Sequence, residues 1–134
     1  MEREEALRFL KENHRGVLGV LGREGRPHLS PVLFALIDGK IQISSTWDRV
    51  KTRYLQRDPR ASLCVLTEKF YAPYLTVEGR VELLPDPDGR KNLALYQAIT
   101  GGPPKDLAEY LAAMKREKRL VYEMTIERMY PLGN

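Results

Sequence analysis

Apolar and polar residues alternate along residues 73–84, and this pattern constrains the fold more than any other part of the chain. Because successive side chains of a β-strand point to opposite faces, the pattern predicts a strand with one buried and one solvated face. The apolar face carries Leu75, Val77, Gly79, Val81 and Leu83, and the polar face carries Thr76, Glu78, Arg80 and Glu82. We interpret Glu78 and Glu82 as cross-strand ion partners rather than as a general acid–base pair.

Other short apolar runs predict the remaining strands, over residues 16–22, 28–37, 40–46, 61–67 and 120–127. Asp38-Gly39 is a strong hairpin signal between two of these runs. The run over 28–37 is apolar on both faces after Pro31, which favours a position inside a barrel or sandwich. Short helices are predicted over residues 4–13, 50–57, 90–100 and 105–118. Few helices and many hairpins favour a mainly β fold, a closed or nearly closed antiparallel barrel of six to seven strands with peripheral helices.

Composition limits the classes of protein that need to be considered. The 134 residues are 43% hydrophobic and 30% charged, which predicts one globular domain spanning residues 1–134. No apolar run approaches the roughly 20 residues of a membrane helix, and the acidic start differs from a secretory signal. Cys64 is the only cysteine, so no intrachain disulfide is possible and a cytoplasmic location is expected. Cys64 itself is interpreted as a small core residue. The net charge of +4 permits an anionic partner, but no nucleic-acid motif is present.

The stretch from Ser44 to Arg53 is the strongest candidate for a binding site. Hydroxyl residues end one predicted strand, and a short helix follows in which Val50, Tyr54 and Leu55 are expected to be buried. Asp48 is a candidate helix cap, while Arg49 and Lys51 fall in the first turn. Cations are unfavourable there because the helix dipole prefers negative charge, and a bound phosphate would resolve the mismatch. A solvated helix that is simply basic is the alternative.

Two segments carry a resemblance to a known family. Residues 25–32 (GRPHLSPV) and 49–63 (RVKTRYLQRDPRASL), with the hydroxyl-rich strand end between them, resemble the split barrels related to pyridoxamine-phosphate oxidase. The similarity is greatest to the branch of coenzyme F420 (deazaflavin) dependent reductases. It continues through residues 78–81 and 119–132, and it therefore implies a split antiparallel barrel over nearly the whole chain.

The resemblance implies a cofactor site at matching positions. The phosphate-bearing tail would be held by Ser44, Ser45, Thr46, Arg49 and Lys51, and the ring would lie along Ser30, Pro31 and Val32. Members of the family are homodimers with the cofactor at the interface, so Tyr74 would contribute from a second copy. Trp47 would cover the cofactor or simply close its loop. His28 would contact cofactor or substrate, or lie on the surface.

The resemblance leaves the cofactor open between FMN and F420. The F420 tail is acidic, and Arg53, Arg57, Arg60 and Lys69 would be available to bind it; surface charge without a ligand is the alternative. The implied reaction is hydride transfer to an unsaturated or otherwise reducible small molecule, with the chemistry supplied by the cofactor. This agrees with a sequence that offers no metal-binding or catalytic motif. A binding or storage protein for flavin or haem, without turnover, is the second hypothesis.

Overall fold

The computed structural model describes residues 2–130, in which six strands and four helices are present. In chain order they are α1 (Arg3–Glu12), β1 (Arg15–Leu21), β2 (Pro27–Ile37), β3 (Lys40–Thr46), α2 (Val50–Arg57), β4 (Arg60–Leu66), β5 (Tyr74–Pro85), α3 (Arg90–Thr100), α4 (Leu107–Arg116) and β6 (Arg119–Tyr130). The strands form a closed antiparallel barrel in the order β1-β2-β3-β6-β5-β4. The predicted antiparallel barrel with peripheral helices is therefore confirmed. None of the helices in residues 2–130 has the length and apolar character needed to cross a membrane.

The seam between β2 and β3 is only partly closed. These two strands pair from Phe34 with Ile43 to Ile37 with Lys40. The rest of β2 pairs with β1, and the end of β3 pairs with β6. Pro31, which lacks an amide donor, lies in the part of β2 that has left β3. Helix α3 packs against β2, β3 and β6 and so lies beside this opening.

The barrel interior is filled by alternate residues of the strands, as the alternating pattern predicts. Leu75 and Val77 are fully buried, Val81 is 6% exposed, and Arg80 and Glu82 are exposed. The largest fully buried side chains are those of Tyr122, Phe34, Leu10, Leu18, Ile41, Ile43, Leu63, Leu75, Leu95, Leu120 and Met124. Strand β5 contains an irregularity in its pairing with β6, between Glu78 and Gly79.

Two burial predictions are wrong, those for the β2 run and for Cys64, and helix α4 also lies outside the core. Leu29 and Leu33 are 65% and 56% exposed, because the separated half of β2 presents one apolar side outward. Cys64 is only partly buried, since it alternates with the core residues of β4. Helix α4 has no buried residue, and Leu107 is 44% exposed, because this helix packs on α3 and the edge of β6 rather than on the core.

Candidate ligand cleft

A cleft of about 410 Å³ lies at the opened seam, between the separated ends of β2 and β3 and the helices α3 and α4. It is lined by Pro31, Val32, Leu33, Ser44, Ser45, Arg49, Lys51, Asn92, Leu95, Tyr96, Ile99, Thr100, Tyr110, Met114 and Arg119. The cations and two serine hydroxyls lie on one side, while both tyrosines and several apolar side chains come from the helices α3 and α4. The cleft therefore suits a flat, amphipathic molecule that carries an anionic group.

Lys51 is the most unusual residue of the cleft. Its side chain is buried, with 8% of the residue exposed, and its Nζ donates a hydrogen bond to Ser30 Oγ at 3.1 Å. Burial lowers the pKa of Lys51, and the nearby charges of Arg49 and Arg119 lower it further. Within residues 2–130, neither Lys51 nor Arg49 forms a salt bridge with a carboxylate. A buried cation beside other cations is costly unless an anion joins it.

The orientation of Lys51 is fixed by the next residue along helix α2. Thr52 is fully buried, and its hydroxyl donates to the carbonyl of Thr46 at 2.7 Å. Because that proton is used, the Tyr122 hydroxyl must donate to Thr52 Oγ1, 2.5 Å away. Burial raises the pKa of Tyr122, so the phenol keeps the proton that it donates to Thr52. This bonding sets the rotation of α2 and places Lys51 in the seam.

The rotation of helix α2 about its own axis therefore differs from the predicted one, so a different set of side chains is buried. Leu55 is buried and Tyr54 is half-buried as expected, but Val50 is 40% exposed while Lys51 and Thr52 are buried. Asp48 is not the helix cap, because its carboxylate accepts from Thr46 Oγ1 at 2.5 Å and the N-cap position belongs to Arg49. The predicted burial of Val50 and capping by Asp48 are both wrong.

Ser45 offers an observation that tests whether an anionic cofactor fits. Its hydroxyl is buried in the cleft wall and, among the described residues, makes no hydrogen bond of good geometry; its polar neighbour is the Tyr122 hydroxyl. A buried hydroxyl without a partner is unfavourable and is normally satisfied by a ligand or water. Lys51 and Arg49 line the same cleft and supply the charged donors that a phosphate would need.

The structure brings some predicted site residues together and places others elsewhere. Pro31 and Val32 line the cleft, and Ser30 lies with His28, Arg49, Val50 and Lys51 around an adjoining pocket of about 220 Å³. Thr46 is directed to Asp48, and Trp47 packs against the barrel core. Tyr74 begins β5 in register with Leu66 and is not part of the cleft lining. The cofactor role of each of these residues stays a prediction.

Four residues of this region were not predicted from the sequence. Asn92 and Tyr110 come from α3 and α4, Arg119 begins β6, and Asp86 lies in the turn before α3. Nothing in their sequence neighbourhoods indicates that Asn92 and Arg119 contact Ser44, or that Asp86 and Tyr110 contact Asn92. The only signal is a polar residue, Asn92, at a position where an amphipathic helix would bury an apolar one.

A barrel opened along one seam, with an amphipathic and cationic cleft at the opening, defines this protein as a split barrel with a candidate ligand cleft. The chain belongs to the pyridoxamine 5'-phosphate oxidase family, whose model matches residues 3–133. It is 28% identical over 126 residues to an F420H(2)-dependent biliverdin reductase of Mycobacterium tuberculosis (strain CDC 1551 / Oshkosh), across 94% of this chain and 85% of that relative.

Solved structures agree with this assignment of the fold. The conserved hypothetical protein Rv2991 from Mycobacterium tuberculosis superposes with a TM-score of 0.80 at 25% identity, covering 96% of this chain and 82% of that one. An F420 reductase superposes with a TM-score of 0.72 at 24% identity, covering 92% and 94% of the two chains. The split-barrel fold is thus shared over nearly the full length.

Proposed function

We propose that this protein is an oxidoreductase that binds a deazaflavin (F420) or FMN cofactor in the cleft and reduces an unsaturated or otherwise reducible small molecule. The observation that carries the proposal is Lys51, a buried cation beside Arg49 and Arg119 that has no carboxylate partner in residues 2–130. The 28% identity to an F420H(2)-dependent biliverdin reductase supports this chemistry. The bound cofactor would supply the hydride, and the protein would bind and orient it.

The side chains of the cleft divide this work between them. Lys51, Arg49 and the unsatisfied Ser45 hydroxyl would hold the phosphate. Tyr96 and Tyr110, whose ring centroids are 5.2 Å apart, contribute an aromatic wall against which a planar ring can pack. Leu95, Ile99 and Met114 extend that wall with apolar surface and limit the access of water.

The distribution of arginines on α2 favours F420 over FMN. Arg49, Arg53 and Arg57 recur at intervals of four residues, so they share one exposed side of the helix that begins at the cleft. Two other residues that were predicted to contact the F420 tail lie outside this row of arginines. Arg60 is engaged by Asp58 at 2.8 Å, and Lys69 lies in the loop between β4 and β5.

The double substitution Arg53→Gln/Arg57→Gln should therefore weaken binding of F420 by about 3- to 10-fold, since exposed ion pairs contribute little individually. Fluorescence titrations would compare F420 with the same deazaflavin phosphate lacking its oligoglutamate tail, and with FMN. The loss should be confined to the tailed cofactor and should shrink at high salt.

Arg60→Gln is the control, because it removes another exposed arginine that is already paired with Asp58. Equal losses for tailed and tail-free deazaflavin would contradict the assignment of the tail to α2. Tighter binding of FMN than of F420 would assign the site to the flavin. Binding of neither would refute the proposed function, and a titration with haem would then test the storage hypothesis.

We also propose that the protein acts as a homodimer with the cofactor at the interface. Leu29, Pro31 and Leu33 form an exposed apolar stripe on β2, and the last two of these residues also line the cleft. A second copy seated on this stripe would bury apolar surface and cover the cleft at once. Leu29 lies outside the cleft lining, so Leu29→Glu should convert the dimer to a monomer without altering the cleft. Light scattering measures the change, and a monomeric wild type would refute the proposal.

A further inference from the structure

Asp86 fixes the orientation of one side chain of the cleft wall. This carboxylate is buried, with 3% of the residue exposed, and it accepts hydrogen bonds from the backbone amides of Lys91 and Asn92 at 2.9 and 2.8 Å. It also accepts from Asn92 Nδ2 at 2.7 Å. Because a carboxylate only accepts, the amide group of Asn92 must point its nitrogen toward Asp86 and its Oδ1 toward the cleft.

Asn92 in turn fixes the protons of two hydroxyls. Its Oδ1 lies 2.5 Å from Ser44 Oγ, and its backbone carbonyl lies 3.0 Å from the Tyr110 hydroxyl. Both oxygens of Asn92 can only accept, so Ser44 and Tyr110 must both donate to it. Burial raises the pKa of Tyr110, with Arg119 opposing, so this hydroxyl keeps its proton at neutral pH. Each hydroxyl then offers only lone pairs to the cleft.

A donor lies directly beside these acceptors. Arg119 is held by Glu117 through Nε and Nη2, at 2.9 and 2.8 Å. Its Nη1 donates a long hydrogen bond of 3.4 Å to Ser44 Oγ and keeps a second proton for a ligand, while Ser44 keeps one lone pair. A ligand edge that complements this wall carries an N–H next to a carbonyl oxygen. Such an edge is an amide, as found in a cyclic imide or a lactam. A phosphate is a poor match, because the Ser44 and Tyr110 hydroxyls have no proton to give it.

We propose that Ser44, Tyr110 and Arg119 form a subsite for a neutral amide edge, and that Asp86 and Asn92 are positioning residues that set its polarity. The subsite shares the cleft with the phosphate donors Arg49 and Lys51 but presents the opposite polarity, so the prediction that Ser44 binds phosphate is replaced by an acceptor role. Assigning the edge to the ring imide of the cofactor rests on the proposed function; a lactam of the substrate would use the same chemistry.

Small fragments without phosphate test the subsite. The probes are 1-methyluracil against 1,3-dimethyluracil for an imide, and 2-pyrrolidinone against its N-methyl derivative for a lactam, titrated into ¹⁵N-labelled protein and followed by NMR. The N–H form of at least one pair should bind several-fold more tightly than the methylated form. The double variant Ser44→Ala/Tyr110→Phe should bring that ratio close to one, whereas Thr100→Val, which removes another hydroxyl from the same cleft lining, should leave it unchanged.

Asp86→Asn tests the positioning role, because an amide at this position no longer forces the orientation of Asn92. The ratio of the affinities for the N–H and N-methyl fragments should fall in Asp86→Asn. A thermal unfolding curve of the same sample shows whether the variant is folded. A ratio near one in the wild type, a ratio unaffected by the double variant, or no binding of either N–H fragment would overturn the proposal. If the cofactor supplies the amide edge, saturating FMN or F420 should displace the imide fragment. If the substrate supplies the edge, the lactam fragment should stay bound when the cofactor is saturating.

The fragments also separate this subsite from the proposed function. Lys51→Met should weaken FMN and F420 without changing the fragment ratio, because the fragments carry no anion. If both cofactors fail to bind while the fragments still discriminate, the proposed function is refuted and the amide subsite stands. If the cofactors bind and the fragments do not discriminate, the amide subsite is refuted and the proposed function stands.

Discussion

Gly79→Ala should cost about 3 kcal/mol or more of the free energy of unfolding, the largest effect on stability that we expect from a single methyl group in this chain. A Cβ atom at this position would lie 1.7 Å from the carbonyl oxygen of Thr125 and 2.9 Å from its carbonyl carbon. Both atoms are backbone, so no side-chain rotation can relieve the contact. The strain must be taken up by the pairing of β5 with β6, which is already irregular between Glu78 and Gly79.

Gly19→Ala provides the matched control for this measurement. Its added Cβ would lie 3.1 Å from the Cδ2 atom of Leu29, whose exposed side chain can move aside. Urea denaturation of the two variants and the wild type gives the three free energies. We expect Gly19→Ala to be within about 1 kcal/mol of the wild type. Equal stabilities of Gly79→Ala and Gly19→Ala would show that the close approach to Thr125 is not a constraint in solution.

The same glycine shows how far the fold can be predicted from the sequence. The alternation along β5 is a local pattern, and it correctly identifies Leu75, Val77 and Val81 as interior residues. The irregular pairing beside Gly79 depends on β6, more than 40 positions later in the chain, and no local pattern reports it. The outward direction of Leu29 and Leu33 was missed for a related reason, since an apolar run does not reveal where two strands separate.

The candidate site was predictable to a similar extent. Residue type and position identified Arg49 and Lys51, because cations at a helix start conflict with the helix dipole. Which of them is buried depends on the bonds of Thr52 to Thr46 and Tyr122, and the second of these joins residues 70 positions apart. Asn92 could not be found in the sequence, because its role consists of contacts with other segments of the chain.

Lys51→Met should have opposite effects on binding and on stability. Removing the charge should weaken binding of the phosphate-bearing cofactor by about 10- to 100-fold, the equivalent of one charge-assisted hydrogen bond. The apoprotein should be as stable as the wild type or more stable by up to about 1 kcal/mol, because a buried cation without an acid partner is replaced by an apolar chain of similar length. Cofactor titration and urea denaturation of the same two proteins measure both quantities.

The pH dependence distinguishes this explanation from a general effect of the substitution. Burial, with Arg49 and Arg119, holds the pKa of Lys51 below its ordinary value of 10.5. Between the lowered pKa and 10.5, the unfolded chain binds the proton that the folded chain has lost, so the stability of the wild type rises with pH in that window. The stability advantage of Lys51→Met should narrow across the same window.

Cofactor affinity should change in the other direction. The wild type loses the Lys51 charge as pH rises through the lowered pKa, so it should bind the phosphate less tightly there, while the affinity of Lys51→Met should lack this step. Lys69→Met, on an exposed loop, should alter neither property. A variant that is less stable than the wild type and still binds the cofactor normally would show that Lys51 is a structural residue, and the cationic end of the cleft would then need another explanation.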